Sequence, residues 1–269
     1  MVMSIEVLLS CMHQTDLALV SQSRISGDVL IINQADEDSK VDTVNKEQRI
    51  RMITTRERGL SRSRNMAIHN AKGDICLLCD DDEEFVEKYE QLIEKAFCEQ
   101  ADADIIAFDV ENKETRLKKR RKRLNRLDCL KIASFQIAFR RRSILEKNIK
   151  FDEFMGAGTG NGGSEENKFL WDCLDKGLVI YYQPVTIAAL HSKSSTWFFG
   201  YNSSFFYQRG AATRYMMGSC LSVSYAFYYL IAKYRKYCGD ISMFQAACAL
   251  FHGIWENPIY KQIIERNDI

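Results

Sequence analysis

The sequence predicts an α/β fold: a mainly parallel central sheet with helices on both faces, followed by a C-terminal helical region. Three observations lead to this fold class. Short apolar runs alternate with segments of helical periodicity, which is typical of a parallel sheet covered by helices. Several of these runs end directly in polar residues. From Trp197 onward the chain is rich in aromatic residues and its pattern is helical rather than strand-like.

Each element is predicted from its local pattern. Apolar runs of strand length predict strands at residues 5–10, 29–33, 51–54, 75–79, 105–110, 131–140, 179–183 and 186–190. Apolar residues at helical spacing predict helices at residues 16–23, 60–71, 86–97 and 164–176. We expect ligands to bind at the C-terminal ends of the parallel strands.

The composition is typical of a globular protein, and we expect its cysteines to be free thiols. The chain has 269 residues, 46% of them hydrophobic and 27% charged, and a formal net charge of +1, so composition alone does not favour a nucleic-acid partner. Its first residues show no secretion signal, and its nine cysteines have no regular spacing, so we expect a cytoplasmic protein. Cys76 and Cys79 fall three apart in a predicted strand and would face opposite sides, which argues against a redox or zinc pair.

Five acidic residues in a row, residues 80–84, follow the predicted strand 75–79. Carboxylates this close raise each other's pKa unless a cation compensates them. Mg²⁺ and Mn²⁺ prefer oxygen ligands and keep part of their shell for substrate phosphates, so an Asp-x-Asp at a strand end suits a metal–diphosphate site. The alternative is that the acids only favour the start of the next helix, which is the role we expect for Glu83 and Glu84.

The residues around this acidic run resemble a known family. Residues 59–68, 71–75 and 77–82 resemble the G-L-S-x-A/S-R-N helix, the G-D/E turn and the strand ending in D-x-D of the family 2 glycosyltransferases, which have a GT-A fold. Residues 7–11 resemble the first strand of that family, residues 163–170 its G-E-D-x-x-F-L element, and residues 181–185 its Y-x-x-P strand. The resemblance spans residues 5–191 and is strongest to bacterial enzymes that build capsular or exopolysaccharide repeat units.

The resemblance implies a GT-A domain over residues 1–193 and a helical region over residues 194–269. It implies that Asp82 ligates Mn²⁺ or Mg²⁺, that Asp80 holds the ribose or a metal-bound water, and that Arg64 faces the nucleotide. It also assigns further residues to the nucleotide-sugar site: Ser10, Cys11, His13, Asp36, Arg58 and Asp81. A downstream histidine completes the metal shell in related enzymes, and His191 is the candidate here, although a lone histidine is more often structural.

Two positions depart from the family pattern. The family usually has Tyr-Asn after its first strand, and this chain has Met12 and His13. The family often has an acidic residue that reads uracil directly after the second strand, and this chain has Asn33 and Gln34 there, with Asp36 a little further on.

The resemblance also suggests a catalytic base. An inverting transfer needs a carboxylate that accepts the proton of the acceptor hydroxyl, and the second acid of the family's E-D element corresponds to Glu166. Glu165 is the competing choice, and both also fit an ordinary helix N-terminus. The Gly-rich residues 155–163 in front of them could close over the acceptor.

Two segments suggest surfaces. Residues 118–123 are all Lys or Arg and could bind anionic lipid, a lipid-linked diphosphate or nucleic acid, or be a solvated insertion. Residues 215–232 are apolar and Tyr-rich, followed by basic residues, and could lie in a membrane interface, form a dimer contact or pack internally. Trp197 could stack on a sugar or be buried.

We therefore expect a metal-dependent, inverting glycosyltransferase in bacterial surface polysaccharide synthesis. The donor would be a nucleotide-diphosphate sugar, UDP-linked by family resemblance, and the acceptor a glycan or lipid-linked glycan. The enzyme would be cytoplasmic, with the inner face of the cell membrane as an alternative location. A metal-dependent nucleotidyltransferase and a nucleic-acid-binding module using residues 118–123 are the rival hypotheses.

Overall fold

The computed structural model describes residues 3–45, 48–111, 117, 119–156, 159, 161–191 and 200–267. The chain divides into two units, the first comprising Met1–Phe151 and Glu166–Lys193 and the second Asp152–Glu165 and Ser194–Ile269. Residues 193 and 194, where we expect the domain boundary, lie outside the described residues. Residues 152–165, which the sequence placed within the first domain, group with the second unit.

The first unit is built on a single large sheet. Its strands are β1 (Ile5–Met12), β2 (Asp28–Gln34), β3 (Ser39–Asn45), β4 (Gln48–Thr55), β5 (Ile75–Asp80), β6 (Glu83–Phe85), β7 (Ile105–Glu111), β8 (Lys122–Arg123), β9 (Ile137–Arg140) and β10 (Ile180–Leu190). Their order is β3-β4-β2-β1-β5-β9-β7-β10-β6, with β8 paired to β10.

Most of the strands run in one direction. The pairs β4–β2, β2–β1, β1–β5 and β7–β10 are parallel. The short β9 runs antiparallel to both β5 and β7, which leaves those two strands pointing the same way. The predicted mainly parallel sheet is confirmed, with β3, β6, β8 and β9 as its reversed strands.

Helices cover the sheet. In the first unit they are α1 (Ala18–Gln22), α2 (Leu60–Asn70), α3 (Tyr89–Glu99), α4 (Arg126–Cys129), α5 (Arg141–Glu146) and most of α6 (Glu165–Asp175), with a 3₁₀ turn at Ser134–Gln136. Side chains alternate along a strand, so Val7 and Leu9 of β1 join the core with α1 and α3. Ser10 faces the other way and contacts α2.

Several predicted elements differ from the structure. The expected strand 131–140 is a strand only from Ile137, after the 3₁₀ turn. The two strands expected at 179–183 and 186–190 are one strand, Ile180–Leu190, with Pro184 at an irregularity in its pairing with β7. Proline fits there because it has no N–H to give to the ladder. The interpretation of Glu83 and Glu84 as the start of a helix is wrong: both lie in β6, and α3 begins only at Tyr89.

The second unit is helical, with α7 (Ser203–Ala232), α8 (Tyr234–Tyr237), α9 (Met243–Glu256) and α10 (Pro258–Asn267). Gly218 has φ 75° and ψ −176°, so it breaks α7 into two arms. The arms pack together, since the Phe206 and Tyr229 rings lie 6.1 Å apart. The segment 215–232 is therefore not one continuous helix.

Close packing in this unit depends on glycine. A Cβ atom on Gly210 of α7 would lie 2.0 Å from the carbonyl oxygen of Leu250 in α9, and one on Gly253 would lie 2.0 Å from that of Tyr207. The two helices can approach this closely only because both positions lack a side chain. Among the described residues, none of the helices has the length and apolar character needed to cross a bilayer.

Candidate active site

The carboxyl ends of β1 and β5 lie side by side. Ser10 of β1 is the register partner of Asp80, the last residue of β5. The Ser10 hydroxyl lies 2.9 Å from that of Ser63 on α2, so this helix packs directly behind the strand ends. The structure thus brings together two residues that the sequence assigned to one site.

Arg64 of α2 holds the carboxylate of Asp80. Its Nη2 atom donates to Asp80 Oδ1 at 3.0 Å and to the hydroxyl of Ser134 at 2.8 Å. The Ser134 hydroxyl in turn lies 3.3 Å from Asp80 Oδ2. We call Arg64, Asp80 and Ser134, each of which contacts the other two, the Asp80 triangle. The Arg64 side chain is only 2% exposed, so its position suits orienting Asp80 better than the direct nucleotide contact that the sequence suggested. Ser134 carries no motif, and sequence reasoning missed it.

Asp81 and Asp82 follow in the turn between β5 and β6. Partial burial and then the neighbouring Asp80 carboxylate raise the pKa of both, and Asp81 adds to the effect on Asp82. Negative charge is thus concentrated here, with Arg64 paired to Asp80 and His191 partly offsetting the charge at Asp82. A cavity of about 350 Å³ opens beside this turn, lined by Gln22, Ser23, Asp81, Asp82, Glu83 and His191.

His191 reaches this turn through the sheet. β10 pairs antiparallel with β6, with Leu190 opposite Glu83, and the His191 N–H donates to the Asp82 carbonyl at 2.9 Å. The imidazole Nε2 lies 2.7 Å from Glu84 Oε2 rather than on Asp82. The structure therefore places His191 beside the acidic turn with its ring held by Glu84, and its role as a metal ligand stays a prediction.

Glu83 is a buried acid that the sequence misassigned to helix capping. It is 1% exposed, and its Oε1 accepts the Asp80 N–H at 3.0 Å, while its Oε2 has no hydrogen-bond partner among the described residues. Burial, followed by the charge of Asp80, raises its pKa well above the ordinary value. Glu83 thus fixes the backbone of the acidic turn from inside.

These carboxylates suit a divalent cation chemically. They are hard oxygen ligands. Burial first, and then the charge of Asp80, raise the pKa of Asp81 and Asp82, and a cation would relieve the repulsive part of this effect. Among the described residues, however, no three acidic, histidine or cysteine side chains converge as a ready ligand set.

The loop after β1 is fixed by Asn33 of β2. The Gln14 N–H donates to Asn33 Oδ1 at 2.9 Å, and Asn33 Nδ2 donates to the Gln14 carbonyl at 2.8 Å. Cys11 is buried, which raises its pKa to about 12, whereas His13 is exposed with φ 53°. Of the two predicted contacts, only His13 presents its side chain to solvent at this edge.

Asp36 and Arg58 form a pair beyond β2 and β4. Arg58 Nη2 donates to Asp36 Oδ1 at 2.6 Å, and its Nη1 donates to the Ala35 carbonyl at 2.8 Å. The Asp36 side chain is 90% exposed, so it is accessible to a ligand. Gln34, at the place of the family's acidic residue, instead accepts the Gly59 N–H at 2.7 Å in front of α2.

Asn65, next to Arg64, hydrogen-bonds to the backbone of Phe151, the last residue of the first unit before the chain enters the second. Its side chain accepts the Phe151 N–H at 2.8 Å and donates to the Phe151 carbonyl at 2.9 Å. The Phe151 ring stacks on Phe169 of α6, with centroids 4.2 Å apart and planes 2° apart, and the Arg64 guanidinium lies 5.4 Å from the Phe151 centroid. Phe169 follows Glu166 by one helical turn, so these contacts connect the Asp80 triangle to the helix that carries Glu166.

The two candidate bases sit differently in the first turn of α6. Glu165 is 6% exposed, and it faces Gly156, where an added Cβ atom would lie 3.0 Å from the Glu165 carboxyl carbon. Glu166 is half-buried. The choice of Glu166 over Glu165 stays a prediction that agrees with this difference in exposure.

The basic stretch is partly structural. Arg121 pairs with Glu99, Lys122 lies 2.6 Å from Asp128, and residues 122 and 123 form β8 against β10. Lys119, Arg120 and Arg123 are exposed. Lys118, Trp197 and residues 157, 158 and 160 of the Gly-rich segment lie outside the described residues.

Comparisons with known proteins bear on the family and the fold of the chain. The family model described as Glycosyl transferase family 2 matches residues 10–166, which include the acidic turn, α2 and the first turn of α6. No curated protein matches the chain with significant sequence similarity.

Solved structures share the fold at low identity. A crystal structure of S. aureus TarS residues 1–349 in complex with UDP-GlcNAc superposes with a TM-score of 0.57 and 12% identity, covering 92% of this chain and 70% of that one. A structure of S. aureus TarS gives 0.54 and 12%, covering 78% of this chain and 39% of that one. The chain thus spans well under half of the longer TarS structure. At this identity the likeness concerns the fold alone.

Proposed function

Because the chain belongs to glycosyltransferase family 2, we propose that it transfers a sugar from a nucleotide-diphosphate donor to a hydroxyl group of a glycan or lipid-linked glycan. The observation that carries this proposal is the acidic turn at the end of β5, where Asp80 is oriented by Arg64 and Ser134. Asp81 and Asp82 add further negative charge at the same turn, where burial and the Asp80 carboxylate raise the pKa of both.

The donor would bind at the shared ends of β1, β2 and β5. Its diphosphate would lie at the acidic turn with Mn²⁺ or Mg²⁺, held by Asp82 with Asp80 as a further ligand or ribose contact and with His191 nearby. Asp81 would contribute to the same donor site. When bound, the cation neutralises the charge that builds on the departing diphosphate. The candidates for the nucleotide side of this site stay Ser10, Cys11, His13, Asp36, Arg58 and Arg64. Of these, Arg64 would act by orienting Asp80.

The chemical step needs only one base from the protein. The acceptor oxygen attacks C1 of the sugar while its proton passes to the Glu166 carboxylate, and the bond from C1 to the diphosphate oxygen breaks on the opposite face. Attack opposite to the leaving group inverts C1. The half-buried position of Glu166 leaves its carboxylate reachable, whereas Glu165 is turned toward Gly156.

The choice of a uridine donor rests on likeness. S. aureus TarS, which shares this fold at 12% identity, has been crystallised with UDP-GlcNAc, and a UDP-sugar is therefore the first donor to test. Synthesis of a bacterial capsule or another surface polysaccharide in the cytoplasm is the setting that the resemblance suggests.

Product analysis tests this proposal. The protein is incubated with a panel of nucleotide sugars, with Mn²⁺, with Mg²⁺ and with EDTA, and the released products are separated. We expect a nucleoside diphosphate and free sugar from at least one donor, with release suppressed by EDTA and in Asp82→Asn. A parallel incubation supplies a nucleoside triphosphate and a sugar 1-phosphate instead, and release of pyrophosphate there would identify a nucleotidyltransferase. Unchanged turnover in Asp82→Asn would remove Asp82 from the metal site. A nucleic-acid module would give neither product and would bind RNA or DNA in a salt-sensitive way through residues 118–123.

A further inference from the structure

The second unit exposes large apolar side chains along one face of α9. Phe244 is 78% exposed and Trp255 is 77% exposed. They are separated by eleven positions, which is three helical turns, and the exposed Cys248 lies on the same face between them. Single exposed apolar residues are ordinary, but two large aromatic side chains aligned on one helix face mark an interaction surface.

The neighbouring arm of α7 extends this surface. Leu221 is 54% exposed, Phe227 55% and Ile231 70%, and their spacing puts them on one side of the arm. The two helices meet there, because the Phe227 and Phe251 rings lie 5.4 Å apart. We call Leu221, Phe227, Ile231, Phe244 and Trp255 the aromatic face.

Positive charge predominates around this surface. Residues 200–260 contain five Lys or Arg and two acidic residues, Asp240 and Glu256. Arg235 and Lys236 are exposed on α8, the short helix that connects the arm of α7 to α9. A face of this kind is attracted to an anionic partner, and two copies of it would repel each other.

We propose that the aromatic face docks onto an anionic lipid surface, with Phe244 and Trp255 inserted among the headgroups and Arg235 and Lys236 bound to their phosphates. Tryptophan and phenylalanine beside basic residues are the side chains that favour this depth in a bilayer. The contact is peripheral, and it would hold the protein where a lipid-linked acceptor is found. It does not depend on which sugar the protein transfers.

Vesicle sedimentation tests the proposal. The full chain is mixed with vesicles of phosphatidylcholine, with or without phosphatidylglycerol, at low and high salt. We expect binding to the anionic vesicles only, weakened by salt. Arg235→Ala/Lys236→Ala should bind about thirtyfold more weakly, since each basic residue near an anionic surface contributes about 1 kcal/mol. Phe244→Ser/Trp255→Ser should lose at least about tenfold.

Matched variants locate the surface. Lys119→Ala/Arg120→Ala removes two exposed charges from the basic stretch, and Val44→Ser/Leu127→Ser removes two exposed apolar side chains of the first unit. Both should bind vesicles like the unchanged protein. The proposal is overturned if anionic vesicles are not bound, or if the Lys119/Arg120 variant loses as much affinity as the Arg235/Lys236 variant. It is also overturned if Phe244→Ser/Trp255→Ser only dissociates a dimer, since the occupant would then be a second copy.

Discussion

Arg64 and Asp80 form an ion pair in which the cation is buried and the anion is partly open. The Arg64 side chain is 2% exposed and that of Asp80 is 29% exposed, with 3.0 Å between Nη2 and Oδ1. The guanidinium is further bound by Ser134 and lies against the Phe151 ring. Its orientation is therefore set by the interior, and it fixes one oxygen of Asp80 while leaving the carboxylate accessible.

Replacing Arg64 with methionine should cost stability and activity together. The change leaves the partly exposed Asp80 without its counter-charge and removes the hydrogen bond from the guanidinium to Ser134, which together cost about 2 kcal/mol of unfolding free energy. Donor turnover should fall at least about tenfold, because Asp80 would no longer be held. Urea unfolding and donor hydrolysis measure the two effects.

The matched control for Arg64 is Arg49→Met. Arg49 Nη2 lies 2.6 Å from Asp42 Oδ2, but both side chains are about half exposed, so the loss of this pair should change stability little and leave turnover unchanged. Equal effects of the two substitutions would contradict the role given to Arg64.

The sequence predicted the strand ends well and the supporting contacts poorly. Ser10, Asp80 and His191 lie around one edge of the sheet. Each lies at or near the end of a strand, and each of these strands can be predicted from its own apolar run without knowledge of the others. The contacts of Ser134 with Arg64, and of Asn65 with Phe151, join residues 70 and 86 positions apart. Polar side chains of this kind carry no periodicity, so a single sequence does not indicate their partners.

Glu83 and β3 show two further limits. Glu83 in an acidic run looks like a solvated helix start, and only the pairing of β6 with β10 buries it. All seven residues of β3 are exposed, so no apolar alternation marks this strand. It exists because its backbone pairs with the edge of β4.

Gly73→Ala should destabilise the protein without affecting its chemistry directly. A Cβ atom there would lie 2.7 Å from the Glu6 Cβ atom and 3.0 Å from the Glu6 nitrogen. Glu6 is buried, its Oε1 accepts from Arg51 Nη2 at 2.5 Å, and its Oε2 accepts from the Gly73 N–H at 2.9 Å. It therefore has little freedom to move. We expect a loss of about 1–3 kcal/mol. Gly239→Ala, where nothing lies within 4 Å, is the control, and unfolding curves that shift equally would contradict this account.

Stability should depend on pH through Asp81 and Asp82. Their folded-state pKa values are raised from 3.8, so the folded protein binds protons more tightly than the unfolded chain does. The stabilisation from this proton binding is present at low pH and is lost as pH rises through the raised values. Asp81→Asn/Asp82→Asn removes the effect, and the double variant should become more stable than the unchanged protein as pH rises toward neutrality.

Urea unfolding in EDTA at a series of pH values measures this difference. Asp42 provides a comparison with the opposite pH dependence of stability, because its hydrogen bond with Arg49 lowers its pKa. The small loss of stability in Asp42→Asn should therefore appear above the ordinary Asp pKa and vanish in acid. Mn²⁺ should reduce the advantage of the Asp81/Asp82 variant, since a cation compensates the same repulsion. A stability difference independent of pH would refute the electrostatic origin.

Asn65→Ala should impair sugar transfer more than donor binding. The asparagine makes both of its hydrogen bonds to the backbone of Phe151, and Phe151 stacks on the helix that carries Glu166. Losing both bonds costs about 2 kcal/mol of unfolding free energy. It also loosens Glu166, whose contribution as a base depends on its position. We expect kcat for transfer to fall by about tenfold while the Kd for the nucleoside diphosphate changes little.

Glu166→Gln and Asn70→Ala make this test specific. Glu166→Gln should keep donor binding and lower transfer by at least about a hundredfold, and adding Asn65→Ala to it should produce little further loss of transfer, because the two changes act on the same base. Asn70 lies on the same helix, and its side chain donates to the Met66 carbonyl one turn earlier, at 2.9 Å, so Asn70→Ala should leave transfer unchanged. If Asn65→Ala lowers transfer as much in the Glu166→Gln background as in the unchanged protein, Asn65 acts on folding or on the donor rather than through Glu166.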